Sequence, residues 1–388
     1  MWRAHPGEVG PLTADPGFGG TVDPAFAAVQ SAFRDNFLIG DEIGAGLCVR
    51  VHGRTVVDLW GGLARADGTA WGPDTMVNSF SVGKGVLGIV TALCVDRGHL
   101  GWNDLVADHW PEFAAHDKGS VTLTDLLGHR AGLPAIRRLL PEGTMLDWGT
   151  MCAHLAAEQP WWSPGTQHGY HVNTFGFLVG EVLRRATSRS VGMLLREFVA
   201  APLGADVHYG LANSRHECVA DLIWHTATVH PAPGENADEA EILQHRAYAN
   251  PPGLSGIGWV NGPHWRSAEM PSTNMHASAR GIARVFDGLC SGDLVSPGVL
   301  TDATEEISND TDAVLGRRTR FARGFQLPLP ERRFGPNDGA FGHYGAGGAL
   351  GFCDPVAGVA FGYAMNRMGT GWQNERNSTL LAALYSCL

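Results

Sequence analysis

The sequence predicts an α+β protein in which both chain ends build one sheet and a mainly helical domain is inserted between them. Three observations predict it. β-rich runs occur early, at 44–62, and again from Gly335 onward. The stretch between about 100 and 250 carries mostly helical patterning, broken by Pro and Gly loops. The chain of 388 residues exceeds one core of ordinary size, so two domains, or one with a large insertion, are expected. The expected division is 1–75 and 255–388 for the sheet domain, and 76–254 for the helical domain.

Each element follows from local pattern. The opening residues, MWRAHPGEVGPLTADPG, lack an apolar segment and carry Pro and acidic residues early, unlike a secretory signal. DPAFAAVQSAFRDNFL, starting at Asp23, has helical apolar spacing after an Asp cap. GAGLCVRVHGRTVVDLWGG (44–62) reads as a hairpin turning at His52-Gly53-Arg54. GVLGIVTALCVDRG (85–98) is apolar nearly all round, so it predicts a helix buried on every side, with Ser81 at its N-terminus. In SPGTQHGYHVNTFGFLVGEVLRRAT (163–187), a Pro164-Gly165 turn precedes Tyr170 and a helix over 174–186. The polar stretch His230 to Glu241 reads as a long surface loop. AFGHYG, GALGFCDP and GVAFGYAMN read as strands with a turn at Asp354-Pro355, and NERNSTLLAALYSCL as a final helix.

Composition narrows the function. Hydrophobic content of 44% and charged content of 17% suit an ordinary soluble protein. A net charge of −11 argues against a nucleic-acid partner. No run of 18 apolar residues occurs, so no membrane span is expected. Seven scattered cysteines without a C-x-x-C pair read as free thiols of a reducing cytoplasm. No metal is expected: His216-Glu217 does not extend to H-E-x-x-H, and His168 and His171 lack a third ligand. No cofactor is expected either. The G-x-G-x-x-x-G within 345–351 is followed by a strand-like run rather than a helix, unlike a dinucleotide loop.

The chemistry concentrates in NSFSVGKG (78–85). Lys84 and Lys118 are the only lysines among 28 basic residues. A serine followed three residues later by lysine sets both side chains on one face of a helix's first turn. Serine needs a base, and lysine serves only when burial or nearby charge lowers its pKa; arginine cannot serve. A helix N-terminus adds free N–H groups for an oxyanion. The alternative is chance: with 17 serines in 388 residues, a given lysine follows one at this spacing about 4% of the time. No serine fits G-x-S-x-G; the nearest, Ser255, lacks the second glycine. Tyr170, at a loop-to-helix junction, either shares a proton with Lys84 or acts as a base, or is simply a core tyrosine. The small residues Gly345, Ala346, Gly347 and Gly348 allow close backbone approach and a second oxyanion donor, or else form only a packing hairpin. Trp161 and Trp162 read as an acyl-pocket wall or, more simply, as core.

Taken in order, these stretches resemble the serine β-lactamase and penicillin-binding-protein superfamily, most closely its class C branch with the family VIII carboxylesterases. SFSVGK is similar to the nucleophile box, SVTLTDLLGHRAGLP (120–134) to the segment that follows, PGTQHGYHVNTFGFLVGE to the tyrosine box, and PSTNMHASARGIARVF (271–286) to the helix before the last strands. The resemblance implies an antiparallel sheet flanked by N- and C-terminal helices with an inserted helical domain. It implies Ser81 as the acylated nucleophile, Lys84 and Tyr170 as its catalytic partners, and the N–H groups of Ser81 and Ala346 as the oxyanion hole. His343, Tyr344 and Gly345 stand where lactamases have Lys-Thr-Gly, and are expected to line the substrate site, with His343 biasing Tyr170 electrostatically. Two departures point away from β-lactams and toward uncharged small-molecule esters. Asn173 falls one position late for Y-x-N, and His343 replaces the cation that meets a carboxylate. The implied activity is ester hydrolysis through an acyl-enzyme. Rivals are an acyltransferase of the same fold, a β-lactamase or D-amino peptidase, and a non-catalytic homologue, which should lack one of the boxes retained here.

Overall fold

The early hairpin forms as strands Gly44–Val51 and Arg54–Gly62, paired antiparallel. The structure, a computed structural model, describes residues 17–39, 41–224, 232–234 and 236–388. The opening stretch through residue 16 lies outside the described residues. The hairpin joins a six-stranded antiparallel sheet in the order Gly19–Val22, Arg54–Gly62, Gly44–Val51, Val359–Met365, Leu350–Asp354, Phe341–Tyr344. Both chain ends therefore meet in one sheet, with Ala45 paired to Met365 and Val51 to Val359. The Asp354 side chain accepts the Val356 and Ala357 N–H groups and so closes the turn read from Asp354-Pro355.

Helices cover the sheet. The Asp23 carboxylate caps a short 3₁₀ turn that runs into the Ala27–Leu38 helix, which packs on the C-terminal Glu375–Tyr385 helix. The Ala279–Cys290 helix, capped by Ser278, lies across the sheet and buries Ile282, Val285, Phe286 and Leu289. Two strand glycines permit this approach. A Cβ on Gly351 would stand 2.5 Å from the Phe286 ring, and one on Gly362 would stand 2.3 Å from the Ala279 carbonyl oxygen.

The apolar run after Ser81 is the Val82–Asp96 helix, buried from Val82 through Cys94. It lies against the edge strand Phe341–Tyr344, where Gly85 leaves room for His343. A three-stranded sheet precedes it: Val77–Asn78 and Val207–His208 flank His276–Ala277. This small sheet ties the chain before Ser81 to the 271–278 stretch. The helix expected near Tyr170 is Phe175–Thr187. The polar His230–Glu241 stretch is not loop throughout: Asp238 and Glu241 form a reciprocal cap that starts a Glu239–Ala249 helix, while residues 230, 231 and 235 lie outside the described residues.

The second lysine has a structural task. Lys118 is fully buried, and its ammonium donates to the Ala115 and Glu158 carbonyl oxygens at 2.6 Å each. Burial lowers its pKa to about 8.

Filling the glycine contact should loosen the sheet. We expect Gly351→Val to destabilise by about 1–3 kcal/mol through overpacking against Ile282 and Phe286, read as a lower urea midpoint at unchanged m-value.

Candidate active site

The chain enters the site through a strained turn. Phe80 adopts φ 47°, a left-handed backbone that a bulky side chain rarely takes. Its ring meets Trp224 edge-on at 6.0 Å. The turn is fixed from outside: Ser79 N–H donates to Met275 O at 2.8 Å, and Asn78 bonds Thr273 O and the Trp265 indole. Ser81 then stands at the head of the central helix, with its hydroxyl not spent on capping.

Lys84 is completely buried, and its Nζ has three neighbours: Val172 O at 2.6 Å, Ser272 O at 3.0 Å and Ser81 Oγ at 3.0 Å. Burial lowers its pKa well below 10.5. Among the described residues no carboxylate opposes that shift. A neutral amine has two N–H donors and one lone pair. The two carbonyls accept the donors, which leaves the lone pair for the Ser81 hydroxyl proton. The same three contacts around an ammonium would leave Ser81 without a base.

Tyr170 is placed by its main chain. Both oxygens of the buried Asp312 accept the Tyr170 N–H at 3.0 Å. Its ring stacks on Phe321 at 5.7 Å, meets Trp372 edge-on at 5.0 Å, and lies 4.8 Å from Lys84 Nζ. The hydroxyl closes no hydrogen bond of good geometry, yet it sits near enough to Ser81 for that hydroxyl to favour its ionised form slightly. Burial wins and pushes the phenol well above 10.0. Tyr170 is thus a neutral phenol near neutral pH, able to relay a proton but not standing ready as a phenolate.

The broken Y-x-N box has a structural sequel. Val172 occupies the second position after Tyr170 and meets Lys84 with a main-chain carbonyl. The Asn173 amide donates to Ala247 O and Ser255 Oγ at 2.8 and 3.0 Å, and its oxygen accepts from Thr273 at 2.9 Å. Its amide nitrogen and its oxygen therefore both have protein partners. His168 and His171 are likewise spent on internal bonds, to Thr319 and to Gly169 O and Leu133 N.

Ser81 and Ala346 line one cavity of about 170 Å³ with Phe80, Val172, Trp224, Tyr248, Ile257 and Met368. Among the described residues, neither the Ser81 nor the Ala346 N–H donates to another protein group. His343, Tyr344 and Gly345 do not line this cavity, contrary to expectation. His343 and Tyr344, adjacent on the strand, face opposite ways, and each is taken up by protein neighbours. His343 is buried behind the site, beside Tyr170 at 6.1 Å, with Nδ1 on its Tyr344 carbonyl oxygen. Burial, then Lys84, lowers its pKa to about 3, so it brings no charge to bias Tyr170 at neutral pH. Tyr344 points away, stacking on Phe334 and donating to Arg333 O. Gly345 instead packs on the Ser79 carbonyl, where a Cβ would stand at 2.5 Å. Trp161 and Trp162 are also absent from the cavity wall; Trp161 bonds Ala135 O and Trp162 packs in the core. Sequence reading missed Phe80, Trp224 and the Val172 and Ser272 carbonyls. Only Phe80 carried a signal, as the neighbour of Ser81.

Comparison with known proteins places the chain. The family profile described as Beta-lactamase matches residues 32–386. The Esterase/beta-lactamase LipL of Mycobacterium tuberculosis H37Rv is 31% identical over 369 residues, spanning 90% of this chain and 83% of that protein. The crystal structure of a family VIII carboxylesterase superposes with a TM-score of 0.88 at 38% identity, covering 96% of this chain and 100% of the other. A penicillin-binding-protein homologue from Caulobacter crescentus superposes at 0.87 with 36% identity, covering 96% and 100%.

Two outcomes follow from the buried amine. Lys84→Arg, which cannot deprotonate, should lower kcat about 10³-fold in steady-state assays. The linkage has a definite sign: the unfolded chain holds the Lys84 proton up to 10.5, and the folded chain gives it up at lower pH. Lys84 thus lowers stability most below its folded pKa, and the penalty fades as pH rises from there to 10.5. Urea titrations should show Lys84→Met losing ground relative to wild type as pH is raised from neutrality toward 10.5.

Proposed function

The chain belongs to the beta-lactamase family, and from that premise we propose the reaction its site performs: hydrolysis of small neutral esters, as a serine carboxylesterase, through an acyl-enzyme on Ser81. The observation that carries this reading is Lys84, desolvated and held by two main-chain carbonyls so that its free lone pair faces Ser81.

Ser81 Oγ attacks the ester carbonyl carbon as its proton passes to Lys84 Nζ. The carbonyl oxygen becomes an oxyanion between the Ser81 and Ala346 N–H groups. Lys84 and Tyr170 then hand the proton to the leaving alcohol oxygen as the carbon–oxygen bond breaks. A water molecule attacks the acyl-enzyme, loses its proton to the same pair, and frees the acid as Ser81 takes a proton back. Substrate class follows from the wall. Among the described residues none that lines the cavity is charged, which suits a neutral acyl group better than a carboxylate. Asn173, occupied internally, offers no free amide for an acylamino group. Both features favour esters over β-lactams. Among the described residues no helix is long and apolar enough to cross a membrane. All seven cysteines are unpaired, which supports a reducing compartment such as the cytoplasm.

The test compares wild type with Ser81→Ala and Tyr170→Phe on short p-nitrophenyl esters. Ser81→Ala should abolish turnover, and intact mass spectrometry of wild type should find an acyl adduct on the Ser81 peptide. Tyr170→Phe should lower kcat about 10²-fold. Full activity in the alanine variant would falsify the mechanism.

A further inference from the structure

The loop that supplies Ala346 is anchored from behind by the C-terminal helix. Gly347 O accepts three donors: Gly369 N–H at 2.9 Å, Asn374 Nδ2 at 3.0 Å and Arg376 Nη2 at 3.3 Å. Gly348 O accepts from Asn377 Nδ2 at 3.0 Å. Arg376 also donates from Nη2 to Arg367 O and from Nη1 to Glu42 Oε1, both at 2.8 Å. The other Glu42 oxygen accepts from the Tyr363 hydroxyl. Glu42, Arg376, Tyr363 and Asn377 are all buried.

A buried ion pair is a poor device for stability alone, since desolvation offsets most of the attraction. This one holds carbonyls whose orientation sets the donor. Gly345 O accepts the Gly348 N–H at 3.2 Å, inside the turn. In a planar trans peptide, C=O and N–H point opposite ways, so the Ala346 N–H points out of the turn. The direction of that N–H therefore depends on where Gly348 sits, and Gly347 and Gly348 are fixed by Arg376 and Asn377. The loop also needs glycine: Gly347 has φ 80°, and a Cβ there would stand 2.6 Å from the Met368 sulfur.

We propose that Arg376, locked by Glu42, is a positioning residue that aims the Ala346 N–H at the reacting carbonyl oxygen. The inference rests on the reading of Ala346 as an oxyanion donor.

The experiment uses Arg376→Lys, Arg376→Gln and Glu42→Gln in the full chain. Arg50→Gln, which breaks the Arg50–Asp287 pair elsewhere on the sheet, serves as control. For each we would measure kcat and KM on p-nitrophenyl butyrate, the affinity of a trifluoromethyl ketone that forms a tetrahedral adduct on Ser81, and the melting temperature. In the three test variants kcat should fall about ten- to a hundredfold with KM unchanged, and inhibitor affinity should weaken by a matching factor. The control should melt earlier with kcat and inhibitor affinity intact. Should Arg376→Gln not fold, Glu42→Gln, which keeps the side chain's shape but removes its charge and one of its two acceptor oxygens, carries the test. A folded Arg376→Lys or Glu42→Gln with wild-type kcat and inhibitor affinity overturns the proposal, as does a kcat loss without weaker inhibition. Failure of the esterase reading looks different: wild type itself would show no adduct on Ser81.

Discussion

An amine without water around it is the constraint on which this molecule is organised. Lys84 sits fully buried at the head of a buried helix, with two carbonyl oxygens taking its protons and one hydroxyl facing what remains. Such a group is tolerated only where the surroundings are both dry and geometrically fixed. The apolar wrapping of the Val82–Asp96 helix provides the dryness. The fixed geometry comes from elsewhere in the chain. Val172 arrives with the loop before the Phe175–Thr187 helix, and Ser272 with the stretch tied by the small sheet to the turn before Ser81.

That arrangement accounts for how thoroughly the fold joins distant segments. The turn before Ser81 leans on Met275 and Thr273, Tyr170 hangs from Asp312, and the loop carrying Ala346 is braced from the C-terminal helix. Each of these groups is thus held by a part of the chain remote in sequence. The left-handed Phe80 is consistent with this: a strained backbone persists only where its surroundings over-determine it.

Much of this was legible in residues, and the rest was hidden for definite reasons. Ser81 and Lys84 could be read because a lone lysine heading an apolar helix is costly to bury unless its amine is put to use. The sheet from both ends could be read because period-two runs bracket a helical middle. Main-chain acceptors such as Val172 O could not, since any residue supplies a carbonyl. Glu42 and Arg376 carried no signal, because a sequence does not disclose which ions find each other in the interior. Treating His343, Tyr344 and Gly345 as one lining unit overlooked strand alternation, which turns His343 toward Tyr170 and Tyr344 away from it into packing with Phe334. The polar residues at 238–241 read as loop because a reciprocal cap uses the same side chains that turns do.

The fate of the other lysine has a wider meaning. With Lys84 and Lys118 both interior, every side-chain cation on the outer surface is a guanidinium or an imidazole. Esters that reach the exterior meet no lysine amine there with which to form a stable amide.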